Sequence, residues 1–153
     1  MGRSEDLFRR LGDRGEEAIN ELIMDRQSEE LFLDFKQSAD KGEGQRLHDD
    51  DRRNLAKAIS GFGNSEGGVI VWGVDCRSDP NIGDVPRCKM PIADPKRFKS
   101  WLEGAVSGCT VPPHPIVQHH AIESSSGRGF VTTYIAKSYY APHQCIKLHS
   151  CRV

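Results

Sequence analysis

Glu29-Glu30-Leu31-Phe32-Leu33-Asp34-Phe35-Lys36 and, after an acidic-headed segment, Gly61-Phe62-Gly63-Asn64-Ser65-Glu66-Gly67-Gly68-Val69-Ile70-Val71-Trp72-Gly73-Val74-Asp75 are the residues whose alternation sets the architecture. Every second residue from Leu31 to Phe35 is apolar, the period of a strand with one face on a core. Asp34 and Lys36 then share the other face, where the i, i+2 spacing sets a carboxylate beside an ammonium. Such a pair can hold a divalent cation and stabilise charge developing on a phosphate. Val69 to Val74, β-branched or aromatic apart from Gly73, reads as a central strand buried on both faces and ending on Asp75. A carboxylate there either serves a ligand site or opens an ordinary turn.

Working outward, residues 37–45 carry Gly42 and Gly44 among mixed charges and read as a solvated loop. His48-Asp49-Asp50-Asp51 then heads a helix with Leu55, Ile59 and Phe62 on one face. The acidic triplet sits at the positive end of that helix dipole, so capping is preferred to a metal cluster. Upstream, Leu7, Phe8, Leu11, Ala18, Ile19, Leu22 and Ile23 predict two short helices, interrupted at Gly12 and Gly15. They either pack on the domain or form a partner-binding arm, with packing the plainer reading.

Downstream, residues 76–93, with Pro80, Gly83, Pro86 and Pro91, read as an irregular crossover. Asp94-Pro95 is an N-cap and first-turn pair, opening a helix to about Ser107 with Phe98, Leu102 and Ala105 on its apolar side. Ile116–Ile122 and Phe130–Ala136 read as two strands joined by the flexible turn Glu123–Gly129. His119 and His120 point to opposite faces, which argues against a shared metal. His143, in a loop after Pro142, is more open to a functional role.

The chain has 153 residues and 17.1 kDa, the length of one domain with a real core. Its net charge of −1, from 21 basic and 22 acidic side chains, gives no global field for nucleic acid, so any such binding needs a local patch. Arg52, Arg53 and Lys57 on one helix, with Lys96, Arg97 and Lys99 on the next, are the candidate phosphate contacts; the plain alternative is two solvated helix faces. The five cysteines are odd in number and form no CxxC pair, so neither a disulfide framework nor a zinc ribbon is indicated, and free thiols in a cytoplasmic protein are the plain reading. No apolar run has membrane-spanning length, and residues 61–68 hold neither a Walker lysine nor GxGxxG.

Glu29-x4-Asp34-Phe35-Lys36, followed by Leu55 to Asp75 with its Asn64-x-x-Gly67-Gly68 turn and Gly73-Val74-Asp75 close, resembles the Schlafen family and its prokaryotic relatives, the Schlafen-type AlbA domain. The likeness covers residues 27–145, with Pro142-His143 matching a Pro-His after a late strand. It implies an α+β fold, a mixed β-sheet flanked by helices in one Schlafen/AlbA-like domain. It divides the chain into a helical segment 1–26, that domain at 27–145, and an atypical or truncated tail at 146–153.

The implied function is nucleic-acid binding, of DNA or RNA and regulatory in character. The first alternative is a metal-dependent endonuclease for RNA or single-stranded DNA, in which Glu29, Asp34 and Asp75 hold Mg²⁺ or Mn²⁺ beside Lys36; without catalysis no cofactor is implied. The second alternative is an interaction domain of a larger ATPase-like regulator. Asp34 stands where the family usually has Glu, one methylene longer. Strand alternation puts Glu30 on the Asp34 face whereas the resemblance points to Glu29, and both stay open. A homodimer is a further partner implied, and no membrane partner.

Overall fold

The computed structural model describes residues 2–25, 32–81, 83–139 and 141–146. The chain opens with helices α1 (Arg3–Arg14) and α2 (Glu16–Met24). Only Gly15 breaks the pair, at φ +61°, whereas Gly12 continues inside α1. An L side chain rarely adopts that left-handed φ, so the corner requires glycine.

Strand β1 (Leu33–Lys36) is followed by α3 (Asp49–Gly63), β2 (Gly68–Trp72), β3 (Val74–Asp79), β4 (Gly83–Lys89) and α4 (Pro95–Ala105). A single 3-10 turn (Val106–Gly108) leads to β5 (Thr110–Val111), β6 (Val117–Glu123), β7 (Gly129–Ile135) and β8 (Gln144–Cys145). The main sheet has the order β1-β2-β7-β6, with β1 parallel to β2 and the other neighbours antiparallel. This is an α+β fold with a mixed sheet, as the Schlafen/AlbA resemblance implies, and the strands read at 31–35 and 69–74 are its β1 and β2.

Two cores sandwich the sheet. On one side Ile70, Trp72, Val131 and Ile135 pack against Leu55, Ile59, Phe98 and Leu102 of α3 and α4. On the other, Val69, Val71, Leu33, Phe35 and Phe130 pack against Leu11, Ala18, Ile19 and Leu22. The N-terminal helices therefore share a core with the sheet, and the packing reading of them holds.

Gly73 marks a departure from the sequence reading. Uninterrupted alternation would keep residues 72 and 74 on one face, yet Trp72 lies in the α3/α4 core and Val74 in the α1/α2 core. The chain turns over at Gly73, whose φ is +108° and whose added Cβ would meet Phe130 at 2.8 Å. Central strand and Asp75 are thus not one element. β3 and β4 pair antiparallel, with register Asp75↔Cys88, in place of the expected irregular crossover. Pro86 sits inside β4 in this two-stranded ribbon, a site where a missing ladder donor is tolerated.

The caps follow the sequence. Asp94 accepts from Arg97 N at 3.1 Å, with Pro95 in the first turn of α4. At α3 the cap is His48, whose Nδ1 accepts from Asp50 N at 3.0 Å. Asp49, Asp50 and Asp51 fill the first turn, where the dipole favours them.

The α3 glycines give opposed expectations. Nothing lies within 4 Å of a Cβ added at Gly61, so Gly61→Ala is expected to stabilise by about 0.5–1 kcal/mol through helix propensity. A Cβ at Gly63 would stand 2.7 Å from Cδ2 of His114, a ring buried against His143. Gly63→Ala is expected to destabilise by about 1–3 kcal/mol, because neither ring can yield. Urea denaturation of the two variants checks both signs.

Candidate nucleic-acid interface

Parallel pairing of Asp34 with Ile70 and of Lys36 with Trp72 aims both charged side chains toward the α3 side of the sheet. There they meet the outer face of α3. Asp34, Lys36, Asn54, Lys57, Gly61 and Ser65 line an open groove of about 390 Å³. Lys36 Nζ lies 3.4 Å from Asp34 Oδ2, with the two side chains 33% and 22% exposed. A pair this wet is worth roughly 0–1 kcal/mol, so a phosphate can take the ammonium at little cost. Lys57 is exposed and has no ion pair among the described residues.

Asp51 lies in the first turn of α3, three residues before the groove residue Asn54. This carboxylate is fully buried; Ser38 Oγ donates to it at 2.6 Å and Ala39 N at 3.0 Å. Burial pushes its pKa up, against the two hydrogen bonds that hold it down. It fastens the segment leaving β1 to the first turn of α3, fixing Lys36 relative to Lys57. Asp51→Ala leaves two donors unpaired inside the protein and is expected to cost about 2 kcal/mol, whereas Asp51→Asn keeps an acceptor and costs less, as chemical denaturation can read. Alternation and charge placed Asp51 among cap residues; its burial had no sequence signal beyond the period of α3.

The far end of α3 is pinned as firmly. Asn64 Nδ2 donates to His143 O at 3.0 Å, and His143 N donates to Asn64 Oδ1 at 2.7 Å. The His143 ring is buried, hydrogen-bonded to Pro112 O and Ser138 Oγ, and stacked on His114 with centroids 5.0 Å apart. His143 is accordingly a structural residue, and the functional role left open for it is not seen.

Of the carboxylates foreseen for a metal, Asp34 and Asp75 lie among the described residues. Glu29 and the alternative Glu30 lie outside the described residues. Asp75 is held by Arg87 Nη2 at 2.6 Å, which pushes the guanidinium pKa up, and Cys88 Sγ lies 4.0 Å from the same oxygen. The turnover at Gly73 sends Val74 and Cys76 toward the α1/α2 core, and the β3–β4 register shifts between Asp75 and Cys76. Gly73 N donates to Lys36 O at 2.7 Å, so β3 does start beside the end of β1. No group of three metal-ligating side chains converges among the described residues.

The six basic candidates separate. Lys57 belongs to the groove. Arg53 pairs with Asp50 at 2.8 Å, Lys96 with Glu123 at 3.0 Å and Lys99 with Glu103 at 3.2 Å. Arg97 donates to Gly42 O at 3.1 Å and stands 4.8 Å over the Trp101 ring. Arg52 lies against Gly108 and opposes the burial that pushes the Cys109 thiol up to about 11. No helix among the described residues is long and apolar enough to cross a membrane.

The family profile "Schlafen, AlbA_2" matches residues 29–146. No curated protein matches the chain. The N-terminal domain of a RecG-related protein from Nitrosomonas europaea, solved in solution, is similar at 19% identity with a TM-score of 0.48, over 90% of this chain and 74% of that one. Because the profile spans well over half of its length, this chain belongs to the Schlafen AlbA_2 family.

Proposed function

We propose that the chain is a nucleic-acid-binding domain that takes the phosphate backbone into the groove between β1 and α3. The observation that carries this reading is the pairing of two cations, Lys36 on a rigid strand and Lys57 on a pinned helix, across one open groove. Phosphates can bind to both, with Asn54 as a neutral donor. Gly61 leaves the helix side open, since nothing occupies the space a side chain would fill. The paired Lys96, Lys99 and Arg53 add to the field and do not define the site. Binding of this kind is salt-dependent and nearly blind to base sequence.

The family favours testing a second reading, a metal-dependent nuclease at Glu29, Asp34 and Asp75 beside Lys36. Among the described residues no three metal-ligating side chains converge and Asp75 is held by Arg87, so those residues alone do not make a metal site. The experiment is a gel shift of labelled transfer RNA and single-stranded DNA in EDTA across a salt series, beside a cleavage assay in Mg²⁺ or Mn²⁺ with wild type and an Asp34→Ala, Asp75→Ala variant. Salt-sensitive binding without cleavage is the expected result. Cleavage lost in the variant would establish the nuclease, and a folded sample that binds nothing would overturn the reading.

A further inference from the structure

The two edges of the main sheet are unequal. At one edge, β1 has only four residues and carries Asp34 and Lys36. At the other, β6 runs for seven residues without proline, lysine or arginine, and its register with β7 is unbroken from Val117↔Ile135 to Glu123↔Gly129. Ala136 N donates to Ile116 O at 3.2 Å and Ser124 N to Arg128 O at 2.7 Å, just beyond the two ends of this ladder. Hydrogen-bonded pairs alternate, so the even positions of β6 face β7. The N–H and C=O groups of Val117, His119, Ala121 and Glu123 point outward, and β7 is the only strand beside β6 among the described residues. Soluble proteins usually blunt such an edge with charge, proline or a bulge, and β6 has only Glu123 at its end.

A groove of about 820 Å³ lies alongside. Phe8, Arg9 and Asp13 of α1 form one wall, and Gln118, His120 and Tyr134 line the sheet side. Four large apolar side chains are exposed among the described residues, and two of them, Ile116 at 45% and Tyr139 at 91%, border this groove. Its charge disfavours nucleic acid. The lining holds three carboxylates, Glu5, Asp13 and Glu66, against the cations Arg9 and Lys137. Arg9 lies 3.5 Å from Glu5 and Lys137 lies 3.5 Å from Glu66, which leaves Asp13 with no ion pair among the described residues.

We propose that the groove between α1 and β6 docks an extended, basic polypeptide segment of a partner protein, which adds antiparallel or parallel to β6 as a fifth strand. The outward backbone groups supply main-chain hydrogen bonds. Alternate side chains of the segment fall toward Phe8 and Tyr134, and a lysine or arginine meets Asp13. The surface shares no lining residue with the β1–α3 groove and does not depend on the reading of that groove.

The test uses the full chain. A random library of peptides of about nine residues, long enough to cover the edge, is selected on the purified protein, and hydrogen exchange is measured with the selected peptides. Expected are alternating apolar sequences rich in lysine or arginine that protect the amides of Val117, His119, Ala121 and Glu123. Asp13→Lys, at an exposed unpaired position, is expected to weaken them by about fivefold, and Ile116→Asp more, with the unfolding transition unchanged. No selected peptide, acidic peptides, or protection elsewhere would overturn the proposal. So would protection of these four amides by oligonucleotide, or by raising the protein concentration alone, which would assign the edge to nucleic acid or to a second copy.

Discussion

Replacing both groove cations, in the double variant Lys36→Glu, Lys57→Glu, is expected to weaken binding of a single-stranded oligonucleotide by about 100-fold at moderate salt. Each phosphate contact is taken as worth roughly tenfold, or about 1.4 kcal/mol. Reversed charge adds repulsion, and the loss of two contacts is expected to lower the salt slope by about 1.4 on the single-strand scale. Lys36 rests on a weak, wet pair with Asp34, and Lys57 has no ion pair among the described residues, so neither change removes a fold contact of consequence. Lys96→Glu with Lys99→Glu is the control, expected to lose under about fivefold, because those ammonium groups are already paired with Glu123 and Glu103. Fluorescence anisotropy across a salt series measures both. Equal losses in the two variants would place the contacts along α4 as well.

Acid is expected to destabilise the fold through His119. Burial beneath α4 pushes this imidazole down to about 4, with Glu103 raising it weakly against Lys99. Thr133 Oγ1 accepts from Trp72 Nε1 at 3.0 Å and lies 2.8 Å from His119 Nδ1, while His119 Nε2 is buried without a partner. A charged ring there would have one donor with nowhere to go. The folded pKa lies below the unfolded value near 6.5, so the unfolded chain binds the extra proton between the two. Stability from this residue is therefore complete above about pH 6.5 and falls as pH drops toward 4, by about 3 kcal/mol in all. His114, also pushed down by burial, acts in the same direction. Urea midpoints at pH 7 and pH 4.5 should differ strongly in the wild type and much less in His119→Gln. An unchanged difference in that variant would contradict the assignment.

The period-2 pattern of 31–35 and the apolar run of 69–74 were enough to give β1 and β2, and Asp94-Pro95 gave the start of α4, because each signal is local; the mixed sheet that joins the strands came from the family resemblance. The face shared by Asp34 and Lys36 was legible for the same reason. Other features depend on partners distant in sequence. Gly73 inside the apolar run of 69–74 does not by itself say that the strand turns over there; the φ of +108° and the Phe130 ring packed where a Cβ would be are visible only in the fold. Arg87, which occupies Asp75, comes from a strand hidden by Pro80, Gly83 and Pro86. Asp51 looked like one of three capping acids, and only Ser38 and Ala39 make it an internal anchor. His143 looked available in a loop, and three separate segments enclose it. The basic residues were readable as helix faces; which ones are paired was not.

The most direct test of the β1–α3 groove is amide shift mapping on the full chain, labelled with ¹⁵N and titrated with a single-stranded oligonucleotide at low salt. The largest shifts are expected on Lys36, Asn54, Lys57, Gly61 and Ser65, vanishing together as salt rises. Largest shifts on Lys96, Arg97 and Lys99, or along β6, with the groove unmoved, would contradict it.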